Sequence, residues 1–214
     1  MERGQRRLVV LLSQLGDFDS LEYAQALAAA LPALQAAGIR LLAIGIGDAA
    51  GAERFCAFTG LPRDLLQPQP TPWLHQALGL YEGLKVPGGP WPGLLLMCAG
   101  VGSPGTLAEV ARGYTGDRAA PQRLESPLFA LAGGKGFQRP FELASVRLRN
   151  MIEVLGHWRV YVPRDDFLTQ RGGTYLLDSD DSLLYSFQDR GLLGFSATMA
   201  RPLSFLDPYL SAAG

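Results

Sequence analysis

The chain has 214 residues, 48% hydrophobic and 18% charged, with 19 basic against 20 acidic side chains and a net charge of −1. That is ample apolar material for one large domain. The charge balance gives no electrostatic reason to expect nucleic acid or an anionic membrane surface as a partner, and no run reaches the roughly 18 apolar residues of a membrane span.

Leu8–Leu12 is continuously apolar and predicts a strand covered on both faces. Arg3, Arg6 and Arg7 precede it, but the run is short, Gln14 and Asp17 end it, and no small-residue cleavage site follows. It reads as the start of the fold rather than a leader, so the expected location is the cytoplasm, or the plastid stroma in a plant-type cell. The turn Gly16-Asp17-Phe18-Asp19-Ser20 then feeds a helix predicted over Ser20–Ala37, with Ser20 as its N-cap and Asp17 and Asp19 at the positive end of the helix dipole. Pro32 is expected to kink this helix and Gly38 to end it. Ile39–Ile46 is again apolar, completing a βαβ unit with a parallel sheet. A shorter helix follows at Ala52–Thr59, burying Phe55, Cys56 and Phe58. Arg63–Thr71 reads as a loop with room for a short strand at Leu65-Leu66, and Pro72 opens a helix through Leu78.

From about residue 85 to 165 the pattern changes. Pro87–Gly93 reads as irregular, Leu94–Cys98 as a helix or a strand, and Thr106–Arg112 as a helix. A polar stretch leads to Gly133-Gly134-Lys135-Gly136. Pro140–Leu155 is amphipathic, with Phe141, Leu143, Val146, Leu148, Met151, Ile152 and Leu155 expected inward and Arg147, Arg149 and Glu153 outward. Thr174–Leu177 and Leu183–Phe187 flank Asp178–Ser182, an antiparallel hairpin. A last helix is predicted over Ser196–Asp207, interrupted near Pro202. The order β-α-β-α, insertion, β-β-α predicts an α/β, three-layer, thioredoxin-like domain with a mixed central sheet. Its core covers about 7–81 and 171–210, and a largely helical insertion covers about 85–165.

The segments VVLLSQLGDF, AGIRLLAIGIG, AERFCAFTGLP, HQALGLY and GGTYLLDSDDSLLY resemble the peroxiredoxins of the AhpC/TSA superfamily, and most closely the peroxiredoxin-like 2 type. The insertion is similar to that of AhpC/TSA-like proteins of phototrophs. In the peroxiredoxin-like 2 proteins the first strand enters a turn of the form Gly-Cys-x-x-Cys-x-x-x-Ala. Gly16 and Ala24 match that pattern, but Asp17 stands at the first cysteine and Ser20 at the second. Peroxide reduction needs a thiolate of depressed pKa, which a hydroxyl cannot replace and a neighbouring carboxylate opposes. The resemblance therefore implies a turn kept in shape without its nucleophile. Arg171 lies near where the family keeps a cation facing the turn. It is expected either to pair with Asp17 or Asp19 or to be a plain surface arginine. Peroxiredoxins often dimerise, so a homodimer is a further option that the resemblance implies.

Cys56 and Cys98 cannot define a disulfide framework and read first as buried, inert thiols. If the two met in space they would form a redox pair, giving an antioxidant thiol oxidoreductase. His75 and His157 have no partners at metal-ligand spacing, so no metal and no cofactor are expected. Gly100-Val101-Gly102-Ser103-Pro104-Gly105 matches the Gly-x-Gly-x-x-Gly pattern, but Asp117 is too close, Glu125 falls in a loop and Pro104 removes a phosphate donor. It reads as a helix-capping turn, with nucleotide binding as the alternative. Asp178, Asp180 and Asp181 lack calcium-loop spacing. Asp17 and Asp19 can also be read as a catalytic carboxylate pair, although capping is the simpler role. Trp91, Trp158 and Phe137, with Arg139, Arg147, Arg149 and Arg159, either pack inside or line a groove for a partner. The expected function is that of a peroxiredoxin-like protein, redox-inactive at the usual turn, that acts as a binding or assembly factor for a protein partner or small ligand.

Overall fold

The computed structural model describes residues 4–117, 120 and 138–210. Gly133–Gly136, Glu125, Phe137 and Arg3 lie outside the described residues. Strand β1 (Arg7–Gln14) occupies the middle of a five-stranded sheet, with β2 (Arg40–Ile46) and β3 (Leu66–Gln69) on one side and β4 (Gly173–Leu177) and β5 (Leu183–Gln188) on the other. β1 runs parallel to β2, in register from Arg7 opposite Arg40 to Leu11 opposite Ile44. It runs antiparallel to β4, with Val10 opposite Thr174. The apolar run of β1 is sealed on both faces, since Leu8, Val10, Leu11 and Leu12 are all buried. This is the mixed α/β sheet expected of a thioredoxin-like fold. β3 continues to Gln69 and tolerates Pro68 because it is an edge strand.

Helix α1 (Phe18–Ala36) begins two residues earlier than expected, and its N-cap is Asp17 rather than Ser20. Aspartate and serine cap about equally well, and here the Asp17 carboxylate accepts from the Asp19 N–H while Ser20 Oγ turns to Ser13 Oγ at 3.2 Å. The helix runs on through Pro32. Leu21, Ala24, Leu27 and Leu34 join Leu8, Val10, Leu41 and Ala43 in the core. Helix α2 (Ala49–Thr59) adds Phe55 and Cys56 to that core, and α3 (Trp73–Ala77) carries the fully buried His75.

Leu94–Cys98 is helical, part of α4 (Pro90–Cys98), which starts inside the stretch read as irregular because proline is well accommodated in a first helical turn. Gly100–Gly105 is thus a turn between two helices, α4 and α5 (Thr106–Thr115), and lacks the strand that a phosphate-binding turn follows. Its Ser103 and Thr106 hydroxyls lie 2.6 Å apart; Ser103 Oγ also accepts from Leu192 N–H and Thr106 Oγ1 donates to Leu192 O.

Helix α6 (Arg139–Gly156) forms and Arg149 is exposed as expected, with Leu143 and Val146 half-buried, but most of the expected inward face is turned outward. Phe141, Leu148, Met151, Ile152 and Leu155 are exposed, while Glu142, Asn150 and Val154 face inward. The cause is ionic. Arg147 donates to Glu22 Oε2 at 3.0 Å and to Glu109 O at 2.7 Å. Asn150 Oδ1 accepts from Gln25 Nε2, and Glu153 accepts from Arg54 Nε at 2.6 Å and from the Tyr161 hydroxyl at 3.0 Å. These bonds orient the polar side of α6 toward α1, α2 and α5.

A short α7 (Trp158–Tyr161) follows, and then the hairpin of β4 and β5. The expected helix over Ser196–Asp207 does not form. Ser196 Oγ donates to Pro202 O, a tight turn covers Ser204–Leu206, and only Asp207–Leu210 (α8) is helical. Among the described residues no helix is long and apolar enough to cross a membrane.

Candidate functional site

β1 ends where α1 begins, so the sheet delivers the turn Leu15–Ser20 to a helix N-terminus. Gly16 is required by close approach, because a Cβ there would lie 2.3 Å from Val162 Cγ2 in the segment after α7. Arg171 arrives from the other side, just before β4, with zero exposure. Its Nη2 donates to the Asp17 carboxylate and its Nη1 to Asp19 Oδ2 at 3.4 Å, while Nε donates to Thr169 O at 3.2 Å. Ser13 Oγ donates to Asp17 Oδ2 at 3.0 Å. Of the two expectations for Arg171, pairing or plain exposure, the structure has the pairing, with both aspartates.

The cluster extends to a segment that the sequence reading left without a role. Asp19 Oδ2 accepts the Leu193 N–H at 2.6 Å, and Leu193 is held at φ +60°, a left-handed conformation uncommon for a branched side chain. Asp189 is 3% exposed and accepts the Gly191 N–H at 3.0 Å. Burial would lower the Arg171 pKa, but Asp17, Asp19 and Asp189 more than offset it and hold the guanidinium above its usual range. Burial, and then repulsion from Asp17, pushes the Asp19 carboxyl well above the ordinary carboxylate range, against the pull of Arg171. Burial pushes Asp189 to about 6.

Asp189 therefore gives a pH test. Its folded pKa lies above its unfolded one, so as pH rises the unfolded chain loses that proton first, and the contribution of Asp189 to stability falls between about pH 4 and 6. The Asp189→Asn variant is expected to be more stable than wild type at pH 8, with the gain gone by pH 4, measured by urea unfolding at both values. A variant equally destabilised at the two pH values would show that the carboxylate is needed in its charged form.

Above the turn lies an open cavity of about 470 Å³. Gln14, Gly16, Asp17, Phe18 and Asp19 form its floor. Trp91, Leu94 and Cys98 of α4, Val110 of α5, Leu155 of α6 and Trp158 of α7 form its walls, and Leu192 and Leu193 close one side. The two indoles stand 5.6 Å apart, centroid to centroid. Trp91 Nε1 donates to Asp165 Oδ2 at 3.1 Å, and Arg159 Nη1 to Asp165 Oδ1 at 2.7 Å. Of the residues read as lining a partner groove, Trp91 and Trp158 do line this cavity. Arg139 and Arg147 are instead engaged in ion pairs, and Arg149 lies over the Phe58 ring.

The cysteines divide. Cys56 is buried in the core on α2, where burial pushes its thiol up to about 11. Cys98, expected buried, is exposed and lines the cavity. Leu94–Met97 precede it in sequence, but a helix spreads such a run over all its faces, so Met97 is buried while Leu95 and Cys98 are not. Partial burial and then the Asp17 charge push the Cys98 thiol up, with Arg171 opposing. Both thiols are free, and the charged groups around Cys56 are Arg63, Glu53 and Asp64 rather than those of the turn. Among the described residues no group of three or more His, Cys, Asp or Glu could hold a metal ion.

A mixed sheet with its turn at the N-terminus of α1 and a buried arginine facing that turn defines a thioredoxin-like fold of peroxiredoxin type. The chain belongs to the AhpC/TSA antioxidant enzyme family, whose model matches residues 26–191. The match starts within α1, after the turn, and runs through the segment at about 85–165 that the resemblance had set apart as an insertion. No curated protein and no solved structure matches the chain.

Proposed function

We propose that this AhpC/TSA family member is redox-inactive at its β1–α1 turn and binds an apolar ligand, or an apolar group of a partner, in the cavity above it. Asp17 and Ser20 stand at the two cysteine positions of the family pattern, with Gly16, Asp19 and Arg171 keeping the turn in shape. The chain is then one domain: residues about 7–81 and 171–210 supply the floor, and residues about 85–165 supply the walls.

One observation carries the reading. A cavity of about 470 Å³ with mainly apolar walls sits over a turn whose Asp17 carboxylate is already paired with Arg171 and Ser13. A volume of that order suits a small ligand or one or two large side chains. The second reading, a thiol oxidoreductase, is favoured by one feature, the exposed Cys98 on the cavity wall. Against it, both thiols are pushed up, so little thiolate is present near neutral pH.

Peroxide consumption with dithiothreitol as reductant separates the two. Wild type and the Cys56→Ser, Cys98→Ser double variant are expected to consume hydrogen peroxide at the same rate, that of the reductant alone. Turnover in the wild type that the double variant loses would establish the oxidoreductase and end the binding-only reading.

A further inference from the structure

We propose that the cavity selects an apolar molecule carrying a cationic ammonium group; this rests on the binding role above and names the chemistry of the occupant. Among the described residues its lining includes two carboxyl side chains, Asp17 and Asp19, and no lysine, arginine or histidine. Arg171 lies behind them, fully buried and outside the lining, with its Nη1 and Nη2 already donated to Asp19 and Asp17. The floor is therefore short of positive charge on the side that a ligand meets.

Two more features point to the same head group. Gln14 lines the cavity at 4% exposure. Its Nε2 donates to Arg164 O at 2.9 Å, but its Oε1 has no donor. A buried amide oxygen without a partner is costly, and an ammonium supplies N–H donors. The Trp91 and Trp158 rings, 5.6 Å apart on the wall, add the electron-rich faces that attract cations. An alkyl body lies along Leu94, Leu155 and Leu168. A carboxylate head group would meet Asp17 and Asp19, whose guanidinium partner Arg171 lies behind them, with no basic side chain among the described residues of the lining.

The test is a calorimetric titration at pH 7 with octylammonium, octanol and octanoate, all below their micelle limits. The expected order of affinity is octylammonium, octanol, octanoate, with about tenfold between successive members, the scale of one charge interaction at a partly buried site. Leu155 is exposed at the rim, so substitution there spares the fold. Both Leu155→Lys and Leu155→Glu remove an apolar contact and weaken octanol alike, but Leu155→Lys is expected to weaken octylammonium at least tenfold more than it weakens octanol, and Leu155→Glu no more than it weakens octanol.

Octanoate binding as tightly as octylammonium, or an ammonium preference that Leu155→Lys leaves intact, would overturn the selectivity while the apolar cavity keeps its proposed role. Failure of all three probes to bind wild type would overturn both.

Discussion

Replacing Arg171 with leucine is expected to cost about 3–5 kcal/mol of stability, the usual penalty for removing one partner of a buried ion pair. The guanidinium is fully buried and donates to Asp17, Asp19 and the Thr169 and Leu168 carbonyls. Leucine fills part of the volume but strands two carboxylates beside an apolar side chain. The loss should depend on pH in a defined direction. Burial and Asp17 already push the Asp19 carboxyl up against the pull of Arg171, so without Arg171 it rises further and the variant regains stability as pH falls and Asp19 takes up its proton. Urea unfolding at pH 7.5 and pH 4.5 measures both effects. A variant as stable as wild type at pH 7.5 would mean that the cluster is not what holds the turn.

The residue after Arg171 carries the second large effect. A Cβ on Gly172 would lie 2.1 Å from Leu11 O and 3.3 Å from Ser13 N. Both are backbone atoms of β1, which is hydrogen-bonded on both sides. The contact cannot be relieved by turning a side chain, so Gly172→Ala must open the sheet or shift Arg171. Overpacking at a site that cannot yield costs about 3 kcal/mol, which in a chain of this size lowers Tm by about 6–12 °C. Gly156→Ala is the control, because nothing lies within 4 Å of its Cβ position and its φ is not positive. Its Tm should stay within about 2 °C of wild type, and equal behaviour of the two variants would contradict the close approach.

These residues also show how far the sequence could be read. β1 was legible because an unbroken apolar run bounded by turn residues has few other uses, and the hairpin was legible from Asp178–Ser182. The orientation of α6 was not. Periodicity shows that a helix has an apolar stripe, but which side faces the core depends on partners distant in sequence. Here those are Glu22 for Arg147 and Arg54 for Glu153, 125 and 99 positions away. The cap of α1 differs from the expectation because Asp17 and Ser20 both cap well, and the bonds from Arg171 and Ser13 that hold Asp17 form only in the folded turn. At the site, Arg171 could be suspected only through the family resemblance, which implies a cation before the hairpin facing the turn. Asp189 and Leu193 could not, since nothing local marks an aspartate that burial will raise or a leucine that an aspartate will hold at positive φ. Cys98 was misjudged for a related reason: its apolar neighbours describe a helix, not a depth.

Cys98, on the wall of the proposed binding cavity above the β1–α1 turn, reports directly on whether that space takes a ligand. The measurement is the rate of Cys98 alkylation by iodoacetamide in the Cys56→Ser protein, with and without saturating N-phenyl-1-naphthylamine, a neutral apolar fluorophore. One fluorophore is expected to bind per chain, with enhanced emission, and to slow alkylation about tenfold while it is bound. A bound fluorophore that leaves the alkylation rate unchanged, or no binding at all, would contradict the binding cavity.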